Sequence, residues 1–426
     1  MVRSTDPMFA TMKEGLSSKW RFSSGVLVVL VGLALGRDLI ANGRPLYCRV
    51  KGETFFPGLR SIWRDPAFPY GHPELDSIQR HFLWRVYPYE AAVFAPIPFS
   101  PGELPTSPDT TVRQARPGAR HPVSSPRVFR HWLGTDAQGY DVAAGLVGGA
   151  RVALLTGSLA MCLAFAAGVL LGALAGYWGD DRLRVRRGVL LATGLALPLA
   201  LFYVGAVQPW LPASSGVWWR SAAGIGAASA VLGVALLAGR ALCRWPFFSV
   251  EVAVPLDLLI MRLAETFMAV PGLVAIVAFA ALLREQTQTL WALVALIGLF
   301  SWPGVALFVR AEMLRVREMD YIASARSLGL PERRILLRHS LPNALQPAYT
   351  VFALGVASAI LLEASLSFLG YGDQHLAGAT WGSLLQNART SPHLWWVSLP
   401  PGLAICLTVM ALHLIGERLS ARGRAR

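Results

Sequence analysis

The sequence predicts an all-α polytopic membrane protein with about eight transmembrane helices and an irregular N-terminal outer segment, on three observations. Apolar stretches of about 20 residues recur along the chain, the length a helix needs to cross the hydrocarbon core. Of 426 residues, 54% are hydrophobic and only 15% charged, too apolar for an ordinary soluble domain. The arginines behind the net charge of +14 cluster in short connections between the apolar stretches. That is the positive-inside pattern, so the charge needs no nucleic-acid partner to explain it. Cys48, Cys162, Cys243 and Cys406 are scattered without a CxxC pair, which supports neither a disulfide framework nor a zinc site.

Taken in order, residues 1–19 form a basic N-terminal stretch with Lys13 and Lys19, followed by a first span at 20–40. Arg37-Asp38 follow that apolar run with no clean cleavage site, so an uncleaved span is expected rather than a signal peptide. Residues 41–131 contain no candidate span and hold half of the chain's 28 prolines, with aromatics interleaved. Such proline density opposes long helices and central strands. A small folded cap and an irregular strap both fit, since Phe55, Phe56, Trp63, Trp84, Phe94 and Phe99 supply burial that disordered segments lack. The second span, Val152 to Trp178, carries Gly168, Gly172 and Gly176 at four-residue spacing, read as a face for close helix packing.

Arg182, Arg184, Arg186 and Arg187 mark a cytoplasmic connection, and two further spans follow at about Gly188–Val207 and Ser221–Leu242. The link Gln208–Arg220 has the Pro and Trp content of an outer interface. Spans near Met261–Leu283 and Leu290–Val309 contain Pro271 and Pro303, where each could bend. The last two spans, about Tyr349–Phe368 and Trp395–Ile415, flank a Gly-rich polar loop and end in an arginine-rich tail at 418–426. Both termini are then expected in the cytoplasm.

Between Leu290–Val309 and Tyr349–Phe368 lies the one long charged interruption of the C-terminal half, residues 320–345. Gly329 can take the left-handed conformation that ends one helix, and Pro331 suits the first turn of another. Pro342 is expected to stop that second helix. Two short helices joined by a glycine turn, held at the cytoplasmic membrane surface, are the local expectation.

No catalytic motif accompanies this architecture. There is no GxxxxGK[ST] phosphate loop, HExxH or GxSxG, and lysine occurs only at 13, 19 and 51. Two acids, Glu265 and Glu363, fall at membrane depth, where an ionisable group is a candidate relay or else a hydrogen-bonded helix contact. The chain is expected to be no enzyme and to bind no cofactor itself.

Tyr321, Ala325, Arg326 and Gly329, followed by Arg338, Leu341, Pro342 and Asn343, resemble the EAA loop of ABC-importer permeases, with Ala323-Ser324 where Glu-Ala is usual. Gly134, Thr135, Asp136, Gly139 and Asp141 lie in a stretch similar to the Leu-Gly-Thr-Asp-x-x-Gly-Arg-Asp-Val signature of dipeptide/oligopeptide permeases, Tyr140 replacing the Arg. Met261-Arg262-Leu263 and Glu363-Ala364-Ser365 with Thr380-Trp381-Gly382 resemble two further blocks of that family, and residues 38–99 resemble its microcin C/oligopeptide type.

The resemblance implies a type I ABC-importer permease fold. Its parts would be residues 132–187 (entry motif and second span), 188–242 (an inserted hairpin) and 243–417 (the core permease domain). It implies a second homologous permease, two cytoplasmic ATPase subunits that use ATP and Mg, a substrate-binding protein, membrane lipid as surroundings, and the inner membrane as location. Peptides are the favoured cargo, with nickel or another small solute as alternatives. A proton-coupled secondary transporter using Glu265 or Glu363, and a scaffold that transports nothing, are the rivals from other classes.

Overall fold

The computed structural model describes residues 7–63, 70–81, 84–103, 112–121, 129–206, 217–282, 289–372 and 379–424. Helix α1 (Pro7–Leu35) contains the first apolar stretch, Trp20–Leu35, and the short α2 (Arg37–Ile40) follows it. Next comes a folded cap. Strands β1 (Tyr47–Val50), β2 (Glu53–Phe55) and β3 (Ala91–Val93) form an antiparallel sheet in the order β2-β1-β3. Between its strands lie α3 (Pro57–Trp63) and α4 (Pro73–Arg80). The expectation of an irregular segment is thus corrected. Pro57 and Pro73 open helices, where the missing N–H costs nothing, while Cys48, Val50, Leu75, Ile78 and Trp84 make a separate small core. Of the aromatics expected to anchor the cap, Trp84 and Phe99 are buried, Phe55 and Phe94 pack beside them, and Phe56 is exposed. The Trp63 side chain lies outside the described residues.

A second short ribbon, β4 (Ala119–Arg120) with β5 (Arg130–His131), leads into α5 (Val142–Trp178). This helix starts ten residues before the expected span. Asp141 supplies its N-cap, accepting a hydrogen bond from the Ala144 N–H at 2.8 Å. At 37 residues, α5 is roughly 55 Å long and reaches from the cap to the far end of the bundle.

Beyond Gly179, strand β6 (Arg184–Arg186) pairs with β7 (Glu251–Ala253), and between them run α6 (Arg187–Ala206), α7 (Val217–Leu242) and the short α8 (Pro246–Ser249). Helices α6 and α7 pack against each other, where Gly224 and Gly239 let the backbones meet. At the root, the Val254 N–H donates to the Leu183 carbonyl at 2.8 Å, and the Leu258 N–H donates to Asp180 at 3.0 Å. The chain therefore leaves and re-enters the core at one point, so the α6–α7 hairpin lies beside the run that continues from Leu256. Residues 207–216 of the expected outer link lie outside the described residues.

The span expected at Met261–Leu283 is two helices, α9 (Leu256–Ala269) and α10 (Gly272–Leu282), bent by 79° at Val270-Pro271. Proline cannot donate to the helix ladder and the break falls there. By contrast, Pro303 sits inside the unbroken α11 (Leu290–Arg317). Counting the bent pair once, seven segments are long and apolar enough to span, with the shorter Trp20–Leu35 beside them, against the eight expected.

Then come α12 (Asp320–Ser327), α13 (Glu332–Arg334), a π-helical turn (Ile335–Ser340) and α14 (Leu341–Phe368). Pro342 does not stop this run, which is helical from Glu332 to Phe368. The Leu341 N–H bonds back to Leu336, five residues rather than four, and this widened turn carries the ladder up to the proline. The chain ends with α15 (Trp381–Ala388) and α16 (Trp395–Arg424); 373–378 of the intervening polar loop lie outside the described residues.

The main core lies where α5, α11 and α14 meet, built from Met161, Ala164, Val305, Ala306, Val309, Met313, Ala357 and Ile360. In lipid, burial of apolar surface between helices gains little, so close packing has to hold such a core. The glycine stripe provides it. A methyl group built on Gly172 would lie 2.4 Å from the Ala306 carbonyl oxygen, on Gly168 2.6 Å from Val305 Cβ, and on Gly176 2.7 Å from Met313 Cβ.

Gly172→Ala should lower the unfolding free energy of the detergent-purified protein by roughly 1–3 kcal/mol, the usual range for overpacking. Gly304→Ala, where nothing lies within 4 Å, should be neutral or slightly stabilising in the same thermal melt. Joining Leu183 to Val254 through a short glycine linker should leave a chain that inserts and melts close to the parent. A melt far below the parent would mean that the α6–α7 hairpin supports the core.

Candidate functional site

Two clusters at opposite ends of α5 contain the residues singled out in the sequence. At the cap end, Gly134 and Gly139 take positive φ values of 78° and 104°, conformations open to glycine at little cost. They fold residues 134–141 so that Asp136 Oδ1 accepts from the N–H groups of Gln138 (3.0 Å), Gly139 (2.8 Å) and Tyr140 (2.8 Å). Its Oδ2 accepts from the Asn387 amide on α15 at 2.8 Å. Burial pushes the Asp136 carboxyl above its ordinary pKa, while the Tyr140 N–H, the Asn387 amide and the other N–H groups pull it down. Thr135 accepts from the Ala115 N–H at 2.9 Å and donates to the Val112 carbonyl at 2.7 Å, and its own carbonyl accepts from Trp396 of α16 at 3.2 Å.

Asp141 adds a second connection. Its Oδ1 caps α5 while Oδ2 accepts from His131 Nδ1 at 2.8 Å. That donor assignment leaves His131 Nε2 to accept from His121 Nδ1 at 3.1 Å. Burial, with Arg85 and His131 close by, pushes His121 down to about 4, so it is neutral at pH 7. Each carboxylate is consumed by partners within the fold. This cluster joins the cap, α5, α15 and α16 and leaves no group free to react.

At the other end, α12 and the helical run from Glu332 form a shelf. Gly329 has φ +72° and makes the turn between them, with its N–H bonded to the Arg326 carbonyl at 2.9 Å. Ile322 and Ala325 are buried against Ile335, Leu336 and Ala344, and Leu341 packs beside them. Tyr321 and Asn343 meet at 2.9 Å between phenol oxygen and amide nitrogen, and the same amide donates to the His339 carbonyl at 2.8 Å. Arg326 reaches Glu332 at 3.1 Å. Arg338 and Pro342 are exposed, as is Ala323, at the position without the usual glutamate. Leu328 and Leu337 are 79% and 64% exposed, and Leu337 lines an apolar groove with Phe165, Leu170 and Leu174 of α5.

The two acids expected at membrane depth part company. Glu363 is buried in α14, with Ser367 donating to it at 2.8 Å. Glu265 lies on the exposed face of α9 and pairs with Arg262 at 2.9 Å, so the structure does not bring the two together.

Sequence reasoning missed the partners across the fold: Asn387 for Asp136, His131 for Asp141, and Tyr177, whose hydroxyl bonds Glu332. Only Glu332 carried a local signal, an acid in the first helical turn just after a proline.

The described residues thus form a polytopic helical bundle with an exposed apolar and basic shelf at one end. Residues 250–424 match the family described as binding-protein-dependent transport system inner membrane component, and among the described residues six helices, or seven with the bent pair counted once, are long and apolar enough to cross a membrane. The inner membrane ABC transporter permease protein YejE of Escherichia coli is 27% identical over 96% of this chain and 92% of its own length. A putative peptide permease protein of Brucella suis is 28% identical over 70% of this chain and 74% of its own. A putative peptide transport system permease of the same organism reaches 38% identity over 38% of this chain and 54% of its own. The family's name implies work alongside a substrate-binding protein and an ATPase.

Asp136→Ala would strand buried N–H donors and should cost roughly 1–3 kcal/mol. Faster hydrogen exchange confined to residues 112–141 is the expected reading, and Asp136→Asn, whose amide oxygen still accepts, should recover part of it.

Proposed function

We propose that this chain is one of two homologous permease subunits of an ATP-driven importer of di- or oligopeptides. It carries no nucleotide site of its own. Two cytoplasmic ATPase subunits would use ATP and Mg, and a substrate-binding protein would deliver cargo at the cap end. The reading places both termini and the 320–345 shelf in the cytoplasm, where the arginine-rich connections lie. Peptide cargo rests on the relatives described as peptide permeases.

The observation that carries the reading is the shelf itself. It is exposed, with Leu328 near Arg333, Arg334 and Arg338, and it continues without a helical break into α14. Such a surface fits an acidic, apolar-lined cleft on an ATPase. When the ATPases close, a push on the shelf would travel along α14 as a rigid body, because a helix cannot shorten without losing its hydrogen bonds. The binding protein and ATP would then favour the same state of the permease, since coupling between sites is reciprocal. Alternating access to the two sides follows from that shared preference.

Gly329→Pro locks φ near −65° where the turn needs +72°. The assembled complex carrying it should hydrolyse ATP without peptide uptake in proteoliposomes. Uptake at the wild-type rate would overturn the role given to the shelf.

A further inference from the structure

Three elements meet on one carboxylate at the shelf. One Glu332 oxygen accepts from the Tyr177 hydroxyl, at the last turn of α5. The other accepts from Arg326 Nε, near the end of α12, at 3.1 Å. Glu332 itself begins the helical run that becomes α14. The carboxylate thus spans both arms of the Gly329 turn and fixes them to the helix that runs the length of the protein. Tyr177 is buried, and next to it the Gly176 carbonyl accepts from Arg317 of α11 at 3.1 Å.

We propose that Tyr177, Glu332 and Arg326 form a positioning clamp through which motion of the shelf is delivered to α5 as well as to α14. The inference rests on the importer reading and adds Tyr177 and Glu332, to which that reading gives no part. Its physical basis is the contrast between geometry and energy. The Glu332 side chain is 54% exposed, and an ion pair so open to water stabilises a fold very little. A staple of the fold would be buried. A tie that holds three elements in register yet can be remade as they move suits a site of transmitted motion. Glycine packing makes α5 and α11 one unit, so a displacement received at Tyr177 moves both. Without the clamp, a push on α12 could be absorbed by rotation about the Gly329 turn, which lacks a side chain to resist it.

The absence of glutamate at position 323 points the same way. Apart from Asp320 at the start of α12, Glu332 is the one acid between residues 319 and 345. Within the loop itself, Glu332 is therefore the carboxylate that Arg326 and Tyr177 share at the turn.

The test uses the full complex of both permeases, the ATPases and the binding protein in proteoliposomes, with isotope-labelled tri-L-alanine as probe. The readout is ATP hydrolysed per peptide taken up. Tyr177→Phe and Glu332→Gln should each raise that ratio severalfold while the melting temperature of the complex stays near wild type. Glu332→Asp should recover part of the coupling, and Arg326→Glu with Glu332→Arg should recover more than either single change. Wild-type ratios in both Tyr177→Phe and Glu332→Gln would overturn the clamp and leave the importer reading intact. A fall in melting temperature with the ratio unchanged would also overturn it, by showing a structural role alone. Failure of the wild-type complex to accumulate the probe with ATP would overturn the peptide-importer reading, and the clamp with it.

Discussion

The structure depends on how closely α5 approaches α11. Lipid offers apolar side chains no reason to leave it for one another, so helices that stay together need close contact between backbones. Gly168, Gly172 and Gly176 remove the side chains that would hold the two helices apart, and the Ala306 carbonyl fills the space one methyl would need. That contact turns α5 from one span among several into a rigid spine, and the spine sets the character of its two ends.

At one end the spine is held by polar groups as well as by the apolar packing of Val142, Ala144 and Val147. Asp141 caps it, His131 binds the other oxygen of Asp141, and Asp136 joins the adjacent turn to α15. Buried carboxylates are costly unless satisfied, and here both have their donors. At the far end the spine finishes at Tyr177 beside an exposed, basic and apolar shelf. A satisfied, buried polar network resists rearrangement, while an exposed one can be remade at small cost. The cap end is built to stay in place, and under the proposed function the shelf end is the one that moves.

What could be read from the sequence divides along the same physical line. Local signals were legible. The glycine stripe, the Gly329 turn and the apolar spans each depend on residues a few positions apart, and the structure contains all three. Two local inferences failed because a competing local effect won. Pro342 does not end its helix, since a π turn wraps the ladder around it, and α5 begins at Val142, capped by Asp141, although hydropathy alone points to Val152. Each of two prolines could bend its span, and only one breaks its helix. Pro271 falls between α9 and α10, whereas Pro303 lies within a helix packed against α5, whose contacts hold it through the proline.

Nothing in the chain's order announces that Glu332 meets Tyr177, 155 residues earlier, or that Asp136 meets Asn387, 251 residues later. Both pairs form because α5 brings distant segments to its ends. The cap illustrates the same limit from the other side. Its prolines read as breakers, yet Pro57 and Pro73 start helices once β1 and its neighbours give those helices something to pack on. The α6–α7 hairpin obeys the same rule, leaving and re-entering the core where the Val254 N–H meets the Leu183 carbonyl. The spine, its partner helix and the shelf therefore form a mechanical unit that tolerates additions at its edge, provided that the backbone contacts within the unit are kept.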